Sequence, residues 1–184
     1  GGSMVATELS DIMFGTPSPV LAEVNMGVLK EDHVNVIVHG HEPAMFEGMM
    51  MAVNDPFFID EAKAKGAAGI NLVGMCCSGA EMMSRHGIPH AGNFSSTEAV
   101  IVTGAVDAMV VDIQCIKQGL SEVAKCYGTH LITTNARAHI EGATHIEFDE
   151  LDPRACTDQI LAKAIARFKT RSMPVEIPNQ VQTG

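Results

Sequence analysis

Tryptophan is absent from the 184 residues and tyrosine occurs once, so aromatics make up only 4% of the chain. A core must then be built from aliphatic side chains and the 12 methionines, which fill irregular gaps without rigid rings. Basic residues are scarce too: 12 Lys and Arg stand against 22 Asp and Glu, a formal net charge of −10. That balance argues against a nucleic acid or an anionic membrane as partner, because both require a basic face. No apolar run reaches the roughly 20 residues of a membrane span, and no stretch has the layout of a secretory signal. The 5 cysteines include no CxxC spacing and are odd in number, which speaks against both a zinc knuckle and a secreted disulfide framework. Free or metal-bound thiols in a reducing cytoplasm are the expectation. Also missing are a GxGxxG cradle, a Walker A loop and a GxSxG elbow, so neither a dinucleotide, a P-loop phosphate site nor an α/β-hydrolase nucleophile is signalled.

What is present is a hydrophobic fraction of 46%, enough to fill one core at this length. The organising stretch is Gly69 to Cys77, GINLVGMCC, followed by SGAEMMSRHG. Its first part reads as a strand buried on both faces. Ser78 with Glu81 has the spacing of a capping box opening a helix. Other strands are expected at His33–Gly40, Ala91–Ser95, Ala108–Cys115, His130–Thr134 and Thr144–Phe148. Helices are expected after Glu42-Pro43, from Asp55-Pro56 to Ala64, over Glu81–Arg85, Thr97–Thr103 and Leu120–Cys126, and from Asp152-Pro153 to about Lys169. In the last of these, Leu161, Ile165 and Phe168 recur on one face. Met4–Ser18 is expected to be a short helix or turn-rich lead-in. Strands of continuous Val, Ile and Leu alternating with helices predict an α/β fold: a single-domain, Rossmann-like, doubly wound parallel sheet with helices on both faces.

Gly1-Gly2-Ser3 reads as an expression-tag remnant, and residues 174–184 have the composition of a linker. The expected domain is therefore 4–173, with both ends looking cut from a longer polypeptide.

Three strands end in soft or imidazole donors. The first offers His39 and His41, the second Cys76 and Cys77, and the fourth Cys115 in VVDIQC. Each alone has an ordinary explanation: a cysteine in an apolar strand is mostly a small core residue, and a histidine after a strand mostly a turn residue. Together they are more informative, because a parallel sheet delivers its strand ends to one crevice. Cys77 and Cys115 are too far apart in sequence for a local knuckle and well placed for two strand ends. Thiolates with imidazole select zinc, iron-sulfur or nickel-iron chemistry. Cys126 and Cys156 are expected to be packed on helices, and the Met49–Met51 run to fill the core. Asp107 and Asp112 are expected to hold backbone partners at strand ends. His86, His90, His130, His139 and His145 have surface or turn readings.

The segments VNVIVHGHEP, GINLVGMCCSGAEMMSRHGIPHAGNF and TEAVIVTGAVDAMVVDIQC resemble, in order, the catalytic subunit of the anaerobic nickel-iron carbon monoxide dehydrogenases. The likeness runs from about Met4 to Asn179. It implies a nickel-iron-sulfur cluster in the parent enzyme that interconverts CO and water with CO2, two protons and two electrons. It also implies that His41 and Cys77 bind the iron outside the cubane and Cys115 a cubane iron, with Cys76 facing the other side of its strand. The family's other cluster cysteines, its electron-transfer cluster motifs and its proton-handling residues do not occur in this chain. After Cys115 the chain reads IKQGL where IMPSL is expected. The resemblance thus implies the central domain of a larger subunit, inactive alone. Its partners are the remaining domains and an electron-transfer protein, a homodimer is in prospect, and the isolated domain need hold no cofactor. The competing expectations are a non-catalytic metal-binding or iron-sulfur scaffold module, and a bare scaffold whose thiols are core residues.

Overall fold

The structure, a computed structural model, describes residues 2–184; Gly1 lies outside the described residues. In chain order the elements are α1 (Gly2–Phe14), β1 (Glu23–Val24), β2 (His33–His39), α2 (Pro43–Val53), α3 (Pro56–Ala64), β3 (Gly69–Met75) and α4 (Cys76–His86). There follow α5 (Thr97–Val102), β4 (Val106–Val111), α6 (Leu120–Tyr127), β5 (His130–Thr133), β6 (Thr144–His145), α7 (Pro153–Phe168) and β7 (Gln182–Thr183). Five strands form a sheet in the order β3-β2-β4-β5-β6, with every neighbouring pair parallel. The chain runs from β2 out to β3 and then crosses back to β4, on the other side of β2. Strand order therefore reverses at β2, and the crevice beyond the carboxyl ends of β2 and β4 is the topological switch point where doubly wound sheets bind ligands.

The two faces of the sheet are covered separately, as the continuous apolar strands require. Val34, Val36 and Val38 of β2 pack with Met45, Phe46 and Met49 of α2 and with Ile160, Leu161 and Ile165 of α7. On the opposite face Ile37, Met109 and Val111 meet Val100 and Ile101 of α5 and Leu120 of α6. Each such aliphatic side chain contributes about 1.5–3 kcal/mol when fully buried. Helix α7 starts as its sequence predicts: the Asp152 carboxylate accepts the Ala155 N–H and Pro153 occupies the first turn. At the amino end of the sheet, Asp107 is fully buried, accepts the Asn35 N–H at 2.8 Å, and meets Arg171 through two bonds of 2.9 and 2.5 Å.

Several local expectations are overturned. Ala91–Ser95 is not a strand: His90 makes isolated bridges to Val24 and Gly74, and Phe94–Ser96 is a 3₁₀ turn whose N–H groups are drawn to the Asn93 side chain. Strand β4 ends at Val111, four residues early, because the Asp112 carboxylate takes over the backbone N–H groups that a ladder would use. Strand β6 stops at His145, although Ile146 and Phe148 still donate to the carbonyls of Thr133 and Thr134. Helix α4 begins at Cys76, so Ser78 is not its cap. Cys126 is exposed rather than packed, whereas Cys156 is buried as expected. Met49 fills the core but Met51 is 62% exposed. Residues 174–184 lie along the domain: Glu176 N–H donates to Thr103 O, Val175 and Ile177 pack on the α5–α6 face, and β7 pairs antiparallel with β1.

Candidate metal centre

Beyond β2 the chain turns through Gly40, whose φ of 140° is open to glycine alone. A Cβ there would collide with the Asp112 carboxylate. That carboxylate joins three strand ends. Its Oδ1 accepts the backbone N–H of His41 at 2.5 Å and that of Ile113, and its Oδ2 accepts the Ser78 hydroxyl at 2.8 Å. Ser78 N–H in turn donates to Gly40 O at 2.8 Å. Asp112 thus has the backbone partners the sequence suggested, and through them it fixes where His41 points. Burial pushes its carboxyl up in pKa, opposed by the N–H and O–H groups aimed at it.

The turn from β3 into α4 is tight. Gly74 and Gly79 are in backbone contact, a Cβ on Gly79 standing 2.5 Å from the Gly74 carbonyl carbon. Between them Cys76 adopts φ 56°, and beyond β4 Gln114 and Cys115 adopt φ 59° and 50°. Non-glycine residues enter this left-handed region seldom, and such strain is characteristic of functional turns.

These turns bring His41 Nδ1 to 3.8 Å from Cys115 Sγ. Cys77 is exposed and opens, with His41, onto a cavity of about 390 Å³ whose walls include Pro43, Ser78, Glu81 and Arg85. His41 thus touches Cys115 and shares the cavity with Cys77, while Cys115 is not among the residues lining that cavity. Among the described residues, however, no group of three or more His, Cys, Asp or Glu side chains is arranged to enclose a metal ion.

Cys76 departs from expectation. It turns toward β2: its Sγ is 3.5 Å from His39 Nε2. Strand alternation stops at Met75, so the side chain follows the left-handed turn instead. Burial pushes the Cys76 thiol up to about 12, with Cys115 adding to the effect, and burial raises the Cys115 thiol as well. His39 is fully buried and held neutral, its pKa lowered by burial to about 4, with Nδ1 lacking a protein partner.

No local sequence signal marks His90, whose Nε2–H donates to the Cys76 carbonyl at 3.1 Å, or the Lys117–Glu98 pair at 2.7 Å beside the Cys115 turn. Both contacts join residues distant in sequence, the second reaching from the turn to α5.

Soft donors gathered at the switch point of a parallel α/β sheet define a candidate metal-centre domain. The model of the prismane/CO dehydrogenase family matches residues 1–184, and the chain belongs to that family. Carbon monoxide dehydrogenase 1 of Carboxydothermus hydrogenoformans is 50% identical over 187 residues, covering 99% of this chain and 29% of the relative. The solved, as-isolated, Ni-free carbon monoxide dehydrogenase of Thermococcus sp. AM4, produced without the CooC maturase, superimposes with a TM-score of 0.95 at 46% identity, over 99% of this chain and 29% of that one. A structure of an acetyl-CoA synthase/carbon monoxide dehydrogenase, described with NiZn[Fe4S4] and NiNi[Fe4S4] clusters in its alpha subunits, matches with a TM-score of 0.94 and 46% identity, over 99% of this chain and 27% of that one. The family resemblance read from the three sequence segments is borne out. The chain spans about 29% of the length of the curated relatives it matches. No helix among the described residues is long and apolar enough to cross a membrane.

Proposed function

We propose that residues 4–173 form the ligand-bearing, Rossmann-like central domain of a carbon monoxide dehydrogenase subunit, with 174–184 packed along it. His41, Cys77 and Cys115 supply part of the ligand set of a nickel-iron-sulfur cluster. The observation that carries this reading is the approach of His41 Nδ1 to Cys115 Sγ at 3.8 Å, across the switch point, from turns more than seventy residues apart. The donor set fits such a group: thiols and imidazole suit iron, nickel and sulfide, and the left-handed turns present them without help from the sheet. When bound, the cluster supplies the two-electron chemistry linking CO and water to CO2 and two protons. The chain's own part is to hold and aim donors: Asp112 fixes the His41 backbone, and His90 fixes the Cys76 carbonyl. Three donors are too few to saturate the cluster, so the chain alone does not turn over. The remaining ligands come from the other domains of the full subunit, which passes electrons to a separate electron-transfer partner and works in a reducing cytoplasm where its thiols stay reduced; a homodimer is the expected assembly.

Anaerobic reconstitution with iron, sulfide and nickel tests this, with elemental analysis and CO-dependent dye reduction as readouts. The expected result is metal uptake that falls in His41→Ala, Cys77→Ala and Cys115→Ala, with no dye reduction. Uptake unchanged in all three variants overturns the ligand assignment. Robust dye reduction by the unaltered chain overturns the incomplete ligand set. Uptake without turnover is also what a non-catalytic metal-binding module gives; restored turnover when the chain is combined with the rest of a subunit separates the two.

A further inference from the structure

The turn carrying Cys115 has two successive residues in the left-handed region, Gln114 and Cys115, and neither is glycine. A backbone like this persists only where its surroundings hold it. Asp112 secures one end of the turn. Lys117 secures the other: its Nζ lies 2.7 Å from Glu98 Oε2 and 4.5 Å from the centroid of the Phe94 ring. Glu98 belongs to α5 and Phe94 to the 3₁₀ turn before it, so one side chain fastens the Cys115 turn to a different segment. The Lys117 side chain is 19% exposed, so this contact is partly sheltered from water and combines an ion pair with a cation–π interaction. Gln118 supports the same turn, donating to His139 O at 2.9 Å and accepting the Glu141 N–H at 3.2 Å.

We propose that Lys117 is a positioning residue for the Cys115 thiol: gripped by Glu98 and the Phe94 ring, it holds the Gln114–Cys115 turn. This rests on the reading of Cys115 as a metal donor. The grip matters because an untethered lysine would extend into solvent and leave the left-handed turn without its second tie.

The test is an anaerobic Co2+ titration of the purified chain, reading affinity and the thiolate-to-cobalt charge-transfer absorbance. Lys117→Met is expected to weaken binding about tenfold, the effect of losing a group that orients a metal ligand, and to reduce the charge-transfer intensity. Lys117→Arg keeps both the ion pair and the ring contact and is expected to restore both readouts. Glu98→Gln frees the lysine while keeping its charge and is expected to fall between them. Iodoacetamide labelling of Cys115 is expected to quicken in Lys117→Met, which reads the position of the thiol without any metal. Wild-type affinity, absorbance and labelling in Lys117→Met overturn the proposal. A loss in Lys117→Arg equal to that in Lys117→Met overturns it too, since a merely structural disturbance is not rescued by charge and shape. A Cys115→Ser variant titrating like the unaltered chain sinks the donor reading itself, a failure distinct from that of Lys117.

Discussion

Gly40 packs directly against the Asp112 carboxylate, leaving no room for a Cβ. The carboxylate uses that space to accept the His41 N–H. Gly40→Ala is therefore expected to destabilise the chain by about 3 kcal/mol, from overpacking and from alanine at φ 140°. Asp112→Ala is expected to cost a similar amount by orphaning the N–H groups of His41 and Ile113, whereas Asp112→Asn keeps an acceptor and costs about 1 kcal/mol. Urea unfolding measures all three. An Asp112→Ala midpoint equal to that of the unaltered chain would remove the carboxylate from its structural role.

The second prediction concerns the amino end of the sheet. Asp107 is fully buried and is met there by Arg171, whose side chain is 10% exposed. Burial raises the Asp107 pKa and Arg171 pulls it back. Arg171→Met leaves this carboxylate without its cation and is expected to cost about 3–5 kcal/mol. Adding Asp107→Asn should recover much of the loss, because the amide oxygen still accepts the Asn35 N–H without carrying charge. Non-recovery in that double variant, measured by thermal or urea unfolding, would mean that Arg171 acts through packing on Phe168.

Thiol accessibility gives a third prediction. Cys77 and Cys126 are exposed, while Cys156 is buried on α7 with its thiol pushed by burial up to about 11. At pH 8 in the metal-free state, iodoacetamide followed by peptide mass mapping should find Cys77 and Cys126 modified within minutes and Cys156 only after unfolding. Early modification of Cys156 would contradict its packing in the core.

The fourth prediction follows from His130, at the start of β5. Its pKa is lowered by burial and, further, by the nearby charges of Lys163 and Arg167. The unfolded chain takes up this proton at the ordinary histidine value near 6.5, before the folded chain does. The stability contribution is therefore complete above that value and declines as pH falls below it. His130→Gln removes the difference, so its urea midpoint should drop less between pH 7.5 and pH 5.5 than that of the unaltered chain. Parallel declines for the two proteins would dismiss His130 as a source of acid sensitivity.

Much of the scaffold can be read from local patterns. HVNVIVH and GINLVGM are unbroken apolar runs, which only a strand covered on both faces requires, and Asp152-Pro153 announces α7 through its own first turn. The donors at the strand ends are legible for the same reason, since parallel topology gathers those ends whatever the loops do. Strand ends that depend on distant partners are not legible. Nothing near Val111 in sequence reveals that Asp112 will capture the His41 N–H, ending β4 early, or that Ser78 will bond Asp112 rather than cap α4. For Cys76, strand alternation extended one residue past Met75 runs into a turn of the opposite hand, which swings the side chain toward His39.

The ladder between β2 and its neighbours finishes at His39, opposite Met75 on one side and Val111 on the other. His41, Cys77 and Cys115 all lie past that last rung. Substituting any of the three therefore removes a donor without cutting a rung beneath it, and the groups that pin their turns, Asp112 and Lys117, also lie outside the ladder.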